Sequence, residues 1–285
     1  MADLKVSVAG VEFHNPLIAA SGTFGFGREY AEFYPLSALG GISSKGITLK
    51  ARPGNPAPRI AEAPGGMLNA VGLQNPGVDH FIEKDLPWLR EQGVTIIANI
   101  AGNTPEDYCA MAEKLNDTDI DMIEMNISCP NVKQGGVQFG TSCAGVEDIT
   151  KAVRAHCKKP LMVKLSPNVT DISEIALAAE SAGADAVSMI NTLTGMRIDI
   201  NTKRPIIHNN TGGFSGPALL PIAVRMVWQT YQKVKIPIVG LGGISTWQDA
   251  VEMLLAGATA LQIGTVLFTD PYAPVKITEG LTNYI

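Results

Sequence analysis

Cys129 lies at the point where a buried strand should end and a loop should begin. The apolar segment 121–125 predicts a short strand, which Pro130 cannot continue because proline lacks an amide donor. The segment 131–141 carries glycines and few large apolar side chains, so it predicts a solvent-facing loop. A thiol has an ordinary pKa of about 8.5 and can act as a base at slightly alkaline pH. The alternative is that Cys129 is a small buried apolar residue.

Polar and glycine residues also end the other short apolar segments. Three asparagines and two lysines gathered at one mouth would suit a polar, planar ligand with many hydrogen-bond donors and acceptors. The alternatives are lysines that lie on the surface and asparagines that bond the backbone of loops. The residues concerned are Ser21, Lys45, Asn99, Asn126, Lys164, Asn191, Thr192, Gly242, Gly243, Gly264 and Thr265.

Two of these positions predict a phosphate site. Gly242–Gly243 and Gly264–Thr265 follow the seventh and eighth apolar segments, where barrels commonly bind phosphate through loop amides and a helix N-terminus. Thr246 is suited to begin that helix. The segment Gly212–Gly216 predicts a third glycine-rich turn beside the same phosphate. The alternative is that these segments are simple turns.

The elements that must position these residues alternate in type along the chain. Short apolar segments predict strands, and segments with apolar residues at three- and four-residue spacing predict helices. The strands are 17–20, 41–45, 95–99, 122–126, 161–164, 186–190, 238–240 and 260–263, and the helices are 79–92, 105–115, 146–156, 172–182, 219–234 and 246–256. This alternation predicts a single α/β domain over residues 1–285, a (β/α)8 TIM barrel after a small hairpin at 5–13. An open, doubly wound sheet is the alternative.

Composition argues against several classes of function. The chain has 285 residues, 46% of them hydrophobic, and a net charge of −5 without a long basic run, so no nucleic acid or anionic membrane is expected. The first residues do not resemble a signal peptide, and no apolar stretch approaches the ~18 residues of a spanning helix. A soluble, cytoplasmic protein is expected. The four cysteines form no C-x-x-C pair and the four histidines are scattered, so no metal is expected.

Seven motifs occur in order over nearly the whole chain: Ser44–Gly46, Asn69–Gly77, Asn126–Asn131, Val163–Asn168, Asn191–Thr192, Gly213–Gly216 and Gly242–Ile244. Together they resemble the dihydroorotate dehydrogenase family. Cysteine rather than serine at position 129 is similar to class 1 of that family. The loop 132–141 is similar to the loop of type 1B enzymes, which pass electrons to NAD through a partner subunit.

The resemblance implies an FMN-dependent oxidation of dihydroorotate to orotate in pyrimidine biosynthesis. Cys129 would remove the C5 proton, FMN would accept the C6 hydride, and Lys164 would stabilise negative charge near flavin N1. Lys45 would meet substrate and flavin. The implied substrate contacts are the backbone amides of Asn69, Ala70, Val71, Gly72 and Leu73 and the side chains of Asn69, Asn126, Asn191 and Thr192. The implied FMN contacts are Ser21, Lys45, Gly46, Asn99, Asn126, Lys164, Ile190, Gly216, Gly242, Gly243, Gly264 and Thr265.

The resemblance also implies partners. The chain has no complete G-x-G-x-x-G fingerprint and no cysteine spacing for a cluster, so a separate FAD and iron–sulfur subunit would carry electrons to NAD. A homodimer core is expected. The segment 270–285 leaves little room for the last barrel helix that the family implies. The alternatives are a fumarate-reducing type 1A enzyme, a flavin barrel acting on uracil-type dihydropyrimidines, and a non-redox phosphate-binding barrel.

Overall fold

The computed structural model describes residues 3–128 and 137–285. Eight parallel strands close into a barrel in which each strand pairs with the next along the chain and the last pairs with the first. We number them β1 Leu17–Ala19, β2 Gly41–Ser43, β3 Thr95–Ile100, β4 Met122–Asn126, β5 Leu161–Lys164, β6 Ala186–Met189, β7 Ile238–Leu241 and β8 Ala260–Ile263. The predicted TIM barrel is confirmed, and the open doubly wound sheet is wrong.

The strands form because each is an almost continuous apolar segment, as expected for parallel strands that are covered on both faces. All residues of β4, β5, β6, β7 and β8 are buried. The predicted N-terminal hairpin is also confirmed, with antiparallel strands Val6–Val8 and Val11–Phe13. Its Val8 and Phe13 pack against Ile18, Met122 and Ala260, so the hairpin closes the amino end of the barrel.

The helices cover the outside of the barrel. They are α1 Val78–His80, α2 Leu86–Glu91, α3 Pro105–Asn116, α4 Val137–Gly140, α5 Cys143–His156, α6 Ile172–Ser181, α7 Leu220–Tyr231, α8 Trp247–Leu255 and α9 Ala273–Tyr284, with a π-helical segment Phe81–Asp85 between α1 and α2. Short 3-10 helices occupy Tyr30–Glu32, Leu36–Ala38, Pro217–Leu219 and Thr265–Phe268.

Side-chain caps set the start of several helices. Thr104 with Asp107 and Thr246 with Asp249 form capping boxes at α3 and α8, in which each threonine accepts from the aspartate amide and the carboxylate accepts in return. Thr246 therefore begins a helix, as the sequence predicts. Helix α5 starts earlier than predicted because Ser142 caps it by accepting from the Gly145 amide.

The expectation that little room remains for a last barrel helix is wrong. Helix α9 is a 12-residue helix whose Ile277 and Leu281 are buried in the core. Pro274 obscures this helix in the sequence, but it lies in the first turn, where no intrahelical donor is needed. No helix in the described ranges combines the length and the apolar character required to cross a bilayer.

A four-stranded antiparallel sheet lies outside the barrel and was not predicted. Its order is Leu193–Met196, Thr211–Ser215, Gly66–Asn69 and Ile60–Ala63, and the short pair Ile198–Asp199 and Arg204–Pro205 is separate from it. The prediction that Gly212–Gly216 is a turn is therefore wrong, since most of the segment is a strand. Its glycines allow close contact: a Cβ on Gly213 would overlap the side chain of Thr192.

Candidate active site at the carboxyl end of the barrel

A cavity opens at the carboxyl ends of the barrel strands, where the sequence analysis predicts the site. Most of the predicted residues line it: Ser21, Lys45, Gly46, Asn69, Val71, Gly72, Leu73, Asn126, Lys164, Ile190, Asn191, Thr192, Gly216, Gly242, Gly243, Gly264 and Thr265. Ala70 and Asn99 do not line it, because both side chains are fully buried behind its wall. Cys129 lies outside the described residues. The structure thus brings together side chains that are scattered over the whole sequence.

Lys164 is held from below by two polar side chains that the sequence analysis did not single out. It ends β5 with its side chain 5% exposed, and its Nζ donates to Gln262 Oε1 on β8 at 3.1 Å. The same Nζ lies 3.7 Å from Oε2 of Glu124 on β4. The cation at the cavity floor therefore has a buried counter-ion.

Glu124 accepts hydrogen bonds from four strands of the barrel interior. Its Oε2 accepts from Ser43 Oγ and Asn99 Nδ2, each at 2.6 Å, and its Oε1 accepts from Ser188 Oγ and Gln262 Nε2, each at 2.7 Å. A carboxylate has only acceptor positions, so these donors suit it. Barrel interiors are usually filled by branched apolar residues, so this layer is unusual.

The ionisation of Glu124 follows from these contacts. Burial acts to raise the pKa of this carboxyl. The Lys164 ammonium and the hydrogen bonds from Ser43, Ser188 and Asn99 more than offset that effect, and the pKa lies below its ordinary value. The carboxylate is therefore negative at neutral pH, although it is fully buried.

The end of β4 presents amide groups to the cavity. Asn126 Oδ1 accepts from the backbone N and Oγ of Ser128, at 3.2 and 3.1 Å. Asn191, which follows β6, donates from Nδ2 to Ser128 Oγ at 2.7 Å. Its Oδ1 accepts from the Thr192 amide at 2.8 Å. These bonds tie the two asparagines of the cavity wall to Ser128, the residue that precedes Cys129 in the chain.

The loop that follows Asn69 is organised by a buried asparagine. Asn75 Oδ1 accepts from the amides of Thr48 and Gly77, and its Nδ2 donates to the Leu73 carbonyl at 2.7 Å. These bonds hold Gly72 and Leu73 at φ values of 77° and 57° beside the cavity. The sequence analysis predicts that the Ala70 amide donates to the substrate carboxylate. In the structure this amide donates to the Arg59 carbonyl, so it is not available to a substrate.

The ends of β7 and β8 form a backbone-lined corner of the cavity. Gly243 has a φ of 81°, and a Cβ there would come within 2.5 Å of the Leu220 nitrogen, so the chain needs glycine at this turn. Gly264 and Thr265 line the same cavity from the other strand. Together with Lys45 and Lys164, which line the same cavity, this donor set fits a planar cofactor that carries a phosphate, as FMN does.

Asn99 lies beneath Gly46 rather than on the cavity wall. Its Oδ1 has no hydrogen-bond partner within the described segments and would lie 3.1 Å from a Cβ on Gly46. Its Nδ2 supports Glu124. The prediction that Asn99 contacts a cofactor directly stays a prediction.

The sequence reasoning missed Glu124, Gln262, Ser43 and Ser188 because each lies inside an apolar strand segment. A signal was present for Glu124. It is a charged residue in the middle of a buried strand, two positions before Asn126, and alternate residues of a strand share one face. Among residues 3–128 and 137–285, no group of three or more His, Cys, Asp or Glu side chains could hold a metal ion.

Comparisons with known proteins agree with the geometry. Residues 3–285 match the family model described as dihydroorotate dehydrogenase. The chain is 56% identical over 283 residues to the dihydroorotate dehydrogenase B (NAD(+)) catalytic subunit of Alkaliphilus metalliredigens, covering 99% of this chain and 94% of that protein. Similar matches are the proteins of that name from Bacteroides thetaiotaomicron, 56% identical with 100% and 94% covered, and Petrotoga mobilis, 53% identical with 100% and 95% covered.

Proposed function

The chain belongs to the dihydroorotate dehydrogenase family, and from that premise we propose that it oxidises dihydroorotate to orotate with a bound FMN, in pyrimidine biosynthesis. The family resemblance drawn from the sequence motifs is confirmed. The observation that carries the proposal is the cavity that joins Lys45 and Lys164 with the Asn126–Asn191 amides and the glycine corner of β7 and β8. These groups would suit a planar, anionic substrate and a phosphate-bearing ring cofactor in the same cavity.

The reaction removes a proton from C5 and a hydride from C6 of the substrate, so it needs a base and a hydride acceptor. Bound FMN supplies the acceptor. Cys129 is the base in this proposal, because it directly follows Ser128, which is hydrogen-bonded to the cavity-lining side chains of Asn126 and Asn191. A thiol is a suitable base for the C5 proton at slightly alkaline pH.

The other residues bind and orient. Lys164 presents positive charge where negative charge develops, and Lys45, which follows β2, lines the same cavity. The amides of Val71, Gly72 and Leu73 receive the substrate carboxylate. The side chains of Asn69, Asn126, Asn191 and Thr192 bond the pyrimidine edges. FMN is held by Ser21, Gly46, Ile190, Gly216, Gly242, Gly243, Gly264 and Thr265.

The first test is the colour and the chemistry of the purified protein. We expect a yellow protein that releases about one FMN per chain, consistent with one phosphate corner. Anaerobic mixing with dihydroorotate should bleach the flavin in a single turnover. Cys129→Ala should keep FMN and orotate binding but slow this reduction by roughly 10² to 10⁴, the contribution of a positioned base.

A matched cysteine variant makes the test specific. Cys143 is exposed at the start of α5 and does not line the cavity, so Cys143→Ala should reduce at the wild-type rate. If the flavin of Cys129→Ala is reduced by dihydroorotate at the wild-type rate, Cys129 is not the base. A colourless protein would favour the phosphate-binding barrel, and reduction by dihydrouracil without orotate binding would favour the uracil-type enzyme.

The proposal includes a partner subunit. The relatives are named as NAD(+)-linked catalytic subunits, which supports NAD over fumarate as the final acceptor and a separate electron-transfer protein. We propose that this protein carries FAD and an iron–sulfur centre and that two copies of this chain form the core of the assembly.

A further inference from the structure

Glu124 is a buried charge that the proposed reaction does not use. Glu124 does not itself line the cavity and is fully buried, and it meets the cavity only through two residues that do line it, Lys164 and Gln262. Six of the eight barrel strands nevertheless converge on it or on its partners: Ser43, Asn99, Glu124, Lys164, Ser188 and Gln262. An ionised carboxylate is expensive to bury, so this arrangement calls for a function.

We propose that Glu124 and Gln262 form a relay that positions the Lys164 ammonium at the cofactor. Glu124 is thus a positioning residue, acting through Lys164 rather than touching the reacting atoms. The inference deepens the proposed function and rests on it, because Lys164 is assigned to the flavin there.

The direction of each hydrogen bond supports the relay. The Glu124 carboxylate can only accept, so the Gln262 amide must turn its Nε2 towards Glu124 Oε1, at 2.7 Å. Its Oε1 then faces away and accepts from Lys164 Nζ at 3.1 Å. The carboxylate therefore sets the orientation of the amide, and the amide sets the position of the ammonium.

Charge supports the relay independently of orientation. Within the part of the chain that the structure describes, Glu124 is the one anionic group paired with Lys164. Lys164 is 4% exposed, so most of its contacts are with protein rather than solvent. A buried ammonium without a counter-ion either loses its proton or moves towards solvent. In both cases the positive charge at the cavity floor is lost.

A double-mutant cycle tests the relay. Lys164→Met should slow flavin reduction by dihydroorotate by about 10² to 10³, as expected for one electrostatic stabiliser, and should make the reduction potential of the flavin more negative. Glu124→Gln keeps the shape but removes the charge, and should slow reduction at least about tenfold with a potential shift in the same direction. In the Lys164→Met background, Glu124→Gln should have no further effect on rate or potential, because its target is gone.

Other results overturn the proposal. The proposal is overturned if Glu124→Gln keeps the wild-type rate of flavin reduction and the wild-type reduction potential. It is also overturned if Glu124→Gln slows reduction by the same factor in the wild-type and Lys164→Met backgrounds. If Glu124→Gln does not fold, Gln262→Met tests the hydrogen-bonded half of the relay in a parallel cycle, because it removes the bond to Lys164 and leaves the Glu124–Lys164 ion pair. Leu281→Ala is the control for destabilisation, because Leu281 is fully buried in α9 and does not line the cavity. This variant should keep the wild-type reduction potential of the flavin.

A structural readout separates this proposal from the proposed function. In a crystal structure of ligand-free Glu124→Gln, Lys164 Nζ should lie beyond hydrogen-bond distance of Gln262 Oε1. An unchanged contact would overturn the relay whatever the cavity binds. Wild-type protein that holds no flavin, or whose flavin dihydroorotate does not reduce, would instead overturn the proposed function and leave this readout valid.

Discussion

The cost of burying one carboxylate makes stability depend on pH at the level of a single residue. Glu124 is fully enclosed, yet its pKa lies below the ordinary value because Lys164 and three hydroxyl or amide donors outweigh the desolvation. In the unfolded chain the same group titrates at about 4.3. The unfolded state therefore takes up a proton at a higher pH than the native state does, and stability from this group rises with pH.

We predict that the Glu124→Gln variant loses about 3–5 kcal/mol of unfolding free energy at neutral pH, the usual cost of breaking a buried pair. The deficit should be constant above about pH 5.5 and shrink as the pH falls through about 4.3 and then through the native pKa, because the wild type loses this contribution there. Urea unfolding of the flavin-free proteins at a series of pH values measures it.

The control for this pH series is Asp171→Asn. The pKa of Asp171 is also lowered, chiefly by its hydrogen bonds with Ser173, but the group lies at the surface as the cap of α6. Asparagine also caps helices, so this variant should track the wild type closely. A Glu124→Gln deficit that stays constant down to pH 3 would contradict the assigned ionisation.

At the scale of elements, a buried asparagine braces one loop of the cavity. Asn75 joins the segment after β2 to the loop after Asn69 through bonds to Thr48, Leu73 and Gly77. The amides of this loop receive the substrate carboxylate in the proposed function. The loop forms no strand pairing at Gly72 and Leu73. Asn55 bonds the carbonyls of Ala70 and Val71, and Asn75 holds the carbonyl of Leu73.

We predict that Asn75→Ala weakens orotate binding by roughly tenfold or more, about 1.4 kcal/mol, while FMN remains bound. The same change should cost about 1–3 kcal/mol of stability, because it leaves buried backbone groups unpaired. Asn75→Asp keeps the acceptor for Thr48 and Gly77 but loses the donor to Leu73, so its orotate affinity should be intermediate. Titration with orotate, followed by the flavin spectrum, measures these affinities. An unchanged orotate affinity in Asn75→Ala would show that Asn75 is not needed to hold the loop for binding.

Sequence periodicity predicted the barrel because its strands are short apolar segments and most of them are followed by helices, four of which begin at a side-chain cap. Met122–Asn126 and Leu161–Lys164 were predicted with their observed bounds. The sheet outside the barrel was not predicted because its strands are half-exposed and rich in glycine, as in Thr211–Ser215. Only the fold shows that these glycines meet other backbone and side chains, not solvent.

The cavity wall was predictable for a related reason, since strand ends in a barrel must share one face. Its floor was not. Glu124 and Gln262 belong to strands that are far apart in sequence, and their hydrogen bonds exist only once β4 and β8 face the same interior. A sequence read along one strand at a time does not reveal a contact across the barrel.

At the scale of the whole molecule, the proposed reaction needs a route for electrons out of the cavity. We predict that the isolated chain oxidises dihydroorotate with oxygen or an artificial acceptor, yet forms NADH slowly until the electron-transfer subunit is added. The assay follows NADH formation with and without that subunit. Efficient NADH formation by the chain alone would exclude the partner, and strong activity with fumarate would point to the type 1A enzyme.

The pairing of β1 with β8 also fixes the order in which the protein can mature during its synthesis. Leu17 leaves the ribosome early and Leu261, its partner, leaves near the end. Until then β1 exposes an open strand edge, and Val8 and Phe13 lack their contact with Ala260. Gln262 and Gly264, which line the cavity, also arrive last. A nascent chain therefore cannot enclose its cofactor, and interrupted translation would yield products that are prone to aggregate rather than shortened enzymes.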